Sequence, residues 1–213
     1  GRAMAETFAR AGADVVIVGR DEQALGDTTS ALEQIRPSGQ FLGISADIAN
    51  PDEIAELHHK AESFFGSVEI LVNNAGTSNA KPFLEVTDAD WLEDFNLKFF
   101  SAAKLCQLCI PGMQRAGWGR IINTLNSAAK APGAKTCPTS AARAAGMAMT
   151  KALATEFASD GILVNALNTG FLVSHQWRTR WQSESAGKTF DEFVESIGQN
   201  IPIGRMGEAH EFA

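Results

Sequence analysis

One stretch decides how the rest of the chain is interpreted: Pro138-Thr139-Ser140-Ala141-Ala142-Arg143-Ala144-Ala145-Gly146. Strong helix formers dominate it, and its small side chains let another backbone approach closely. Pro138 suits the first turn of a helix, where a missing N–H costs no hydrogen bond. A turn and a short apolar strand follow, Gly161-Ile162-Leu163-Val164-Asn165-Ala166. The pattern predicts a helix over 138–157 that leads into a buried strand.

The same alternation extends over the whole chain. Apolar segments that read as strands alternate with amphipathic segments that read as helices, and they fall at 14–19, 40–45, 69–73, 120–125 and 162–166. Strands separated by helices indicate βαβ units and a parallel sheet. The intervening helices are predicted at 1–13, 22–35, 51–65 and 91–110.

Composition excludes several classes of protein. The net charge of −7 argues against nucleic acid or an anionic membrane as the main partner. No apolar run approaches the roughly 18 residues that a membrane span requires.

The three cysteines, an odd number, do not suggest a disulfide framework. Cys106 and Cys109 lie in an apolar helical stretch, which favours packed, reduced thiols of a cytoplasmic protein over a zinc or redox site. No metal site is predicted.

The order of helix, turn and strand after Pro138 resembles the active-site region of the short-chain dehydrogenase/reductase family. In that family Tyr-x-x-x-Lys opens the helix and an Asn-x-x-x-Pro-Gly strand end follows it. Fitting the helix end at Thr150 to Glu156 places Thr139 where the tyrosine belongs and Arg143 where the lysine belongs. The chain contains no tyrosine at all. The resemblance therefore implies the family's fold without its usual proton donor.

The resemblance covers nearly the whole chain and implies a doubly wound parallel sheet, a three-layer α/β/α Rossmann fold, within a single domain over 1–213. Strands 14–19, 69–73 and 120–125 are then expected to be parallel neighbours in one sheet. Gly1 would be the last glycine of the family's Thr-Gly-x-x-x-Gly-x-Gly turn. The first strand and most of that turn, roughly 10 to 20 residues, are expected to be missing, and so is the last strand.

Several motifs correspond to the nucleotide side of the family's site. The segment 69–76 is an apolar strand that ends in Asn-Asn-Ala-Gly, which implies that Asn74, Ala75 and Gly76 line the adenosine side of the cofactor. Asp47 and Ile48 match the pair that the family places against the adenine ring. The N–H groups that follow Gly1 at the helix start would face a pyrophosphate.

The end of the second predicted strand bears on the choice of cofactor. Gly19 lies where NAD-preferring relatives carry an acidic residue, and Arg20 follows it. An arginine without that acid suits a ribose 2′-phosphate, which favours NADP(H) over NAD(H). The alternative is that Arg20 is simply a solvated residue at a helix start, with Asp21 as the N-cap.

The catalytic side is less well preserved. Asn96 aligns with the asparagine of the family's catalytic tetrad. The serine position falls on Asn126 when counted without a gap, and on Ser127 with one inserted residue; either side chain can hydrogen-bond a carbonyl. Thr139 cannot replace a phenol as the acid, whereas Arg143 keeps a charge that can hold ribose hydroxyls.

The last part of the chain is predicted to complete the site. Gly170 matches the family's Pro-Gly glycine, and Ser174 would be the hydroxyl near the nicotinamide amide. The segment 175–200 is the expected substrate lid. His175, at its start, is the candidate for a relocated acid because its pKa suits neutral pH.

Three functions remain open. The first is a divergent NADP(H)-dependent oxidoreductase that acts on a small carbonyl or alcohol substrate. The second is a non-catalytic cofactor-binding or scaffold protein, and the third is non-redox chemistry on the same fold, as in halohydrin-dehalogenating relatives. Those relatives keep the tyrosine and lose the nucleotide motifs, so the third is disfavoured. A homodimer or homotetramer is expected through the helices at 88–110 and 138–159.

Overall fold

The chain folds into alternating helices and strands. A computed structural model describes residues 1–185 and 187–213. A π-helix (Asn96–Phe100) lies between two α-helices, Asp88–Phe95 and Ser101–Ala116. In chain order the other main elements are α1 (Arg2–Arg10), β1 (Val15–Gly19), α2 (Glu22–Ile35), β2 (Phe41–Ser45), α3 (Pro51–Phe65), β3 (Ile70–Asn73), α4 (Asp88–Phe95), α5 (Ser101–Ala116), β4 (Gly119–Asn126), α6 (Thr139–Glu156), β5 (Ile162–Thr169), α7 (His175–Glu184), α8 (Phe190–Gly198) and α9 (Ala209–Phe212).

The strands form two sheets. β1 pairs in parallel with β2, with Val15 opposite Phe41, and the second sheet has the order β3-β4-β5. β3 and β4 are parallel, with Ile70 opposite Arg120. The α/β class and the pairing of 69–73 with 120–125 are therefore confirmed. The expectation that 14–19 belongs to the same sheet does not hold, because no described strand lies between β1 and β3 to join them.

A cavity of about 1140 Å³ lies between β1 and β3, and residues of both strands line it. The cavity follows β1 and β3 along their length and reaches the residues after their carboxyl ends.

Each sheet has its own apolar packing. In the larger sheet, Ile121 and Ile162 pack against the buried side of α5, including Met113 and both helix cysteines, Cys106 and Cys109. The thiols are free, as the sequence predicts. In the smaller sheet, Val15 and Ile17 pack against a cluster from α1 and α2 that contains Ala5, Ala9 and Leu32. These contacts fix where the strands end, and therefore where a ligand can bind.

The chain divides into two compact units, Gly1–Asn168 and Thr169–Ala213, where the sequence analysis expects one domain. The second unit has packing of its own. The ring of Trp177 lies 5.9 Å from that of Phe171 and 6.4 Å from that of Phe193. α7 and α8 belong to this unit, so the predicted lid segment is helical over most of its length. None of the described helices is both long enough and apolar enough to cross a lipid bilayer.

Candidate active site

The cavity of the first unit reaches the carboxyl ends of four parallel-sheet strands. Ligands of open α/β sheets bind at this edge, because the loops after the strands leave crevices there. The residues that line it just beyond or at the strand ends are Gly19 and Arg20 (β1), Asp47 and Ile48 (β2), Asn74, Ala75 and Gly76 (β3), and Thr124 and Leu125 (β4). Nearly all of the predicted nucleotide-side residues of this unit are thus in one cavity, with Gly1 among them.

Three polar side chains, of which Asn123 and Thr150 are buried and Asn73 is half-buried, fix these strand ends against α6. Asn73 donates to Oδ1 of Asn123 at 2.8 Å, and Asn123 donates to Oγ1 of Thr150 at 2.8 Å. Thr150 in turn donates to the carbonyl of Gly146 at 2.8 Å. Because buried polar groups are costly unless paired, this chain of bonds holds β3, β4 and α6 in one arrangement. The sequence analysis does not single out Asn123 or Thr150.

The nucleotide side is open and cationic at its rim. A β-carbon on Gly1, at the start of α1, would lie 3.3 Å from Nδ2 of Asn74. Nη1 of Arg20 lies 4.0 Å from Oδ2 of Asp47, and the Arg20 side chain is 77% exposed. The other oxygen of Asp47 accepts the N–H of Ala49 at 2.9 Å. Arg20 therefore has only a loose, solvent-screened partner and can reach an anion.

The structure places Asn96 differently from the expectation. Asn96 is exposed at the start of the π-helix and is not among the residues that line the cavity. Lys98, two residues later, is buried instead. The two side chains differ in this way because residues two apart point to different sides of a helix. The sequence contains a signal for the burial of Lys98: Asp94 lies four residues before it, within the aromatic-rich segment 91–100. Charged side chains are rarely buried unless they are paired with each other.

Lys98 forms a buried ion pair with Asp94, and the two side chains are 2% and 1% exposed. Lys98 and Arg143 both line the cavity. A β-carbon on Gly76 would lie 2.9 Å from Nη2 of Arg143 and 3.7 Å from Cγ of Lys98, so the Asn-Asn-Ala-Gly turn lies against both cations. The result is a cluster of one carboxylate and two cationic side chains, which we name the charged cluster (Asp94, Lys98 and Arg143).

Burial and neighbouring charges shift the pKa values of the two cations. Burial lowers the pKa of the Lys98 ammonium, and the charge of Arg143 lowers it further, while Asp94 opposes both effects. Burial likewise lowers the pKa of Arg143, and Asp94 again opposes the change. An amine with a depressed pKa releases its proton more readily than an exposed lysine. Lys98 therefore holds its proton less tightly than an exposed lysine does.

Two side-chain atoms of the charged cluster are buried without a hydrogen-bond partner among residues 1–185 and 187–213, namely Oδ2 of Asp94 and Nε of Arg143. Arg143 is otherwise held by a bond from Nη1 to the carbonyl of Thr124 at 3.0 Å. Unpaired buried polar atoms are rare in folded proteins and often mark a functional site. The charged cluster thus keeps hydrogen-bonding capacity that a ligand or water can use.

Thr139 lies behind the charged cluster. Its side chain is buried, and its Oγ1 accepts the backbone N–H of Asn79 at 2.9 Å. The hydroxyl proton is directed to Oδ1 of Asp94 at 3.4 Å. Thr139 is not among the residues that line the cavity. It therefore positions the loop at Asn79 and the Asp94 carboxylate, in agreement with the argument that it cannot act as the missing phenol.

The two candidates for the serine position differ in burial. Asn126 is half-buried at the end of β4, and its Oδ1 is buried without a partner among the described residues. Ser127 is exposed in the short 3₁₀ turn that follows. Only Asn126 thus combines burial with an unused acceptor. Neither of them is among the residues that line the cavity.

The remaining predicted site residues belong to the second unit. Gly170 and Ser174 are exposed, and Ser174 is the N-cap residue of α7. His175 is the exposed first residue of α7. Trp177 and Trp181, both in the predicted lid segment, each contact a phenylalanine of this unit. Within the described part of the chain, no group of three or more His, Cys, Asp or Glu side chains could hold a metal ion.

Known proteins with similar sequences and structures are oxidoreductases. The chain is 32% identical over 217 residues to the 3-oxoacyl-acyl-carrier-protein reductase FabG of Escherichia coli, covering 100% of this chain and 82% of the enzyme. The solved structure of L-sorbose reductase from Gluconobacter frateurii with NADPH and L-sorbose matches 99% of this chain and 81% of its own, with a TM-score of 0.93 and 30% identity.

A second solved structure also contains NADPH. The NADPH-bound short chain oxidoreductase from Pseudomonas aeruginosa, described as containing an atypical catalytic center, matches 98% of this chain and 80% of its own with a TM-score of 0.89 and 31% identity. The family model for short chain dehydrogenases matches residues 1–185. That match and the arrangement of strand ends, turn and α6 lead to one conclusion: this chain belongs to the short chain dehydrogenase family.

Proposed function

We propose that the protein is an NADP(H)-dependent oxidoreductase that interconverts a carbonyl compound and an alcohol. The observation that carries this proposal is the charged cluster, which lies against the Asn-Asn-Ala-Gly turn at the carboxyl ends of β3 and β4. Lys98 lines the cavity together with Arg143, so the cavity contains an ionisable side chain in addition to the cation that can hold ribose. The NADPH found in the two structural relatives described above supports the choice of cofactor.

The residues of the cavity fit a dinucleotide. The N-terminus of α1 offers unpaired N–H groups to a pyrophosphate, and the absence of a side chain at Gly76 leaves room beside Arg143. Nε of Arg143 can donate to a ribose hydroxyl, and Arg20 to a 2′-phosphate. Ser174 is proposed to hold the nicotinamide amide. When bound, the reduced cofactor supplies the hydride for the carbonyl carbon.

The second candidate function is a non-catalytic NADP(H)-binding or scaffold protein. The observation that favours it is the state of Thr139, whose hydroxyl is already engaged by Asn79 and Asp94. With no tyrosine in the chain and Thr139 occupied, the family's usual route for the proton is closed. Under this alternative the charged cluster serves only to bind ribose and to hold α4 against α6.

Two measurements on the full-length protein separate these functions. NADPH fluorescence titration should show saturable binding, with weaker binding of NADH. Carbonyl-dependent loss of NADPH absorbance should then be detected with at least one member of a panel of ketones, aldehydes, ketoses and 3-oxoacyl thioesters. Binding without turnover on any substrate would favour the scaffold protein, and no binding of either nucleotide would contradict both candidates.

A further inference from the structure

We propose that Lys98 donates the proton that the missing tyrosine would have supplied, and that Asp94 is the positioning residue that holds its ammonium group. This inference rests on the proposed function. It assigns the acid to the π-helix between α4 and α5, outside the Tyr-x-x-x-Lys positions and outside the second unit.

The proton donor is first narrowed by elimination among Thr139 and the members of the charged cluster. The chain has no tyrosine, and the Thr139 hydroxyl is directed to Asp94. Arg143 is close, but a guanidinium stays protonated and cannot pass its proton on. Of the side chains in the charged cluster, only the ammonium group of Lys98 is a cationic acid that can release its proton, and burial lowers its pKa.

Lys98 is also suitably placed to act as the proton donor. Lys98 lines the same cavity as Arg143, and its Cγ lies against the Gly76 turn. Four flexible methylene groups separate the backbone from Nζ, yet the ammonium group is held by Asp94 from one helical turn earlier. A proton donor that is fixed before substrate arrives avoids the cost of ordering it during the reaction.

The charges around Lys98 determine the direction of the pH dependence. Asp94 and Glu93 of α4 stabilise the ammonium, whereas burial and Arg143 of α6 destabilise it, and burial has the largest effect. The net result is a lowered pKa. Because the ammonium form is the acid, reduction should fall as pH rises through the pKa of Lys98. Removing the charge of Asp94 should move this fall to lower pH.

The reaction balances in atoms and electrons. The carbonyl carbon gains the hydride, the carbonyl π bond breaks, and its oxygen takes a proton from Nζ of Lys98. One C–H bond and one O–H bond would form, while the C–H bond of the reduced nicotinamide, the carbonyl π bond and one N–H bond of the lysine would break. The nicotinamide is the group oxidised and the carbonyl is the group reduced. The neutral amine of Lys98 then regains a proton from solvent before the next turnover.

The decisive variant is Lys98→Arg, which keeps the positive charge and the pairing with Asp94 but replaces a titratable ammonium with a guanidinium. We expect NADPH binding by fluorescence to stay within about threefold of the parent and turnover to fall by on the order of 100-fold or more, the usual contribution of a general acid. The matched control is Lys60→Met, which removes an exposed i,i+4 pair between Lys60 and Glu56 and should leave both values unchanged.

Lys98→Met leaves Asp94 buried and unpaired, so it can fail to fold. The double variant Asp94→Asn/Lys98→Met removes both charges with little change in volume and serves as the folded protein without an acid. Far-UV circular dichroism and NADPH binding establish its fold, and turnover should be lost as in Lys98→Arg.

A direct readout that needs no turnover is the NMR titration of ¹⁵N-labelled lysine side chains. One amine, absent from the spectrum of Lys98→Arg, should titrate below the range of the exposed lysines, and in Asp94→Asn it should titrate lower still. An amine at position 98 that titrates with the exposed lysines would overturn the proposal.

The outcomes separate this inference from the proposed function. Parent protein that binds NADPH but reduces no carbonyl contradicts the proposed function and this inference with it. Parent activity that persists in Lys98→Arg overturns the inference alone. A pH-dependent fall that survives Lys98→Arg and disappears in His175→Ala would likewise overturn it and assign the acid to the second unit.

Discussion

A β-carbon on Gly76 would lie 2.9 Å from Nη2 of Arg143, closer than folded proteins allow without a shift. The guanidinium is held in place by the carbonyl of Thr124 and by burial. The glycine of the Asn-Asn-Ala-Gly turn thus determines where the Arg143 side chain lies. This relationship links a motif on the nucleotide side to a residue at the family's lysine position.

Gly76→Ala should therefore weaken NADPH binding by about tenfold, because Arg143 must move and its charge-assisted bonds to ribose contribute about 1.5–3 kcal/mol. The measurement is NADPH fluorescence titration. Gly26→Ala is the control: no atom lies within 4 Å of the added β-carbon in α2. It should leave binding unchanged and raise the free energy of unfolding by about 0.5–1 kcal/mol. Equal binding by both variants would contradict the role given to Gly76.

Arg20 should determine the preference for NADP(H). Arg20→Ala removes a donor to the 2′-phosphate, so NADPH affinity should fall by about 10- to 100-fold while NADH affinity changes little. Gly19→Asp should shift the preference further, because a carboxylate there repels the phosphate and accepts a ribose hydroxyl. The nearest heavy atom to a β-carbon at Gly19 is 3.7 Å away, so the change is sterically allowed. A parent protein that binds NADH as tightly as NADPH would refute the argument.

Thr139 should matter for stability more than for turnover. Thr139→Val keeps the shape but leaves the N–H of Asn79 without its acceptor, which should lower the free energy of unfolding by about 1–3 kcal/mol. Turnover should fall by less than about tenfold, since the hydroxyl positions Asp94 and does not meet the substrate. Thr155→Val in the same helix removes only an exposed hydroxyl and should change stability by less than about 0.5 kcal/mol. Urea unfolding and steady-state rates test both; complete loss of turnover in a folded Thr139→Val would contradict this role.

The helices and strands are predicted best from the sequence where the local hydrophobic pattern and the final fold favour the same element. The strands and helices alternate as predicted because each segment has the period and capping residues of its own element. Asp21 is one example, since its carboxylate accepts the N–H of Ala24 at 3.1 Å and starts α2 as expected. The motifs at Gly19–Arg20, Asp47–Ile48 and Asn74–Gly76 follow strands, so the parallel topology brings them to one cavity.

The charged cluster could not be predicted in the same way. Asn96 was predicted because it aligns with the asparagine of the family's catalytic tetrad, but which side chain of a helix is buried depends on how the helix packs. Here a π-helix separates α4 from α5, and Lys98, not Asn96, enters the packed side. The separation of the strands into two sheets, with β1 in one and β3 in the other, was not predicted either. A hydrophobic pattern indicates that a segment is a strand, but it does not show which strand that segment pairs with.

Stability should fall in alkaline solution through the two helix thiols. Burial raises the pKa of Cys106 to about 11 and that of Cys109 to about 12, from an ordinary value of 9.0. The unfolded chain therefore loses these protons at lower pH than the folded chain. The stabilisation is complete below about pH 8 and is lost progressively as pH rises through 9 and toward the folded values. Cys106→Ala/Cys109→Ala should show a smaller fall between pH 8 and 10 in urea unfolding; an equal fall would contradict this origin.

The last prediction concerns an exposed apolar face on the helices expected to form the subunit interface. Leu92 and Phe100 are 63% and 53% exposed, and the ring of Phe100 lies 5.3 Å from that of Phe99 and 6.3 Å from that of Phe95. Large apolar patches of this kind mark interaction surfaces. We expect the full-length protein to be a homodimer or homotetramer at micromolar concentration.

Leu92→Glu/Phe100→Glu should reduce the assembly to monomers, because two carboxylates would be buried without partners in a symmetric interface. Phe64→Glu is the matched control, since Phe64 of α3 has the same 53% exposure as Phe100 and lies outside the predicted interface. Light scattering after size-exclusion chromatography gives the mass directly. A parent protein that is monomeric, or a mass that falls in Phe64→Glu and not in the double variant, would show that subunits do not associate through this face.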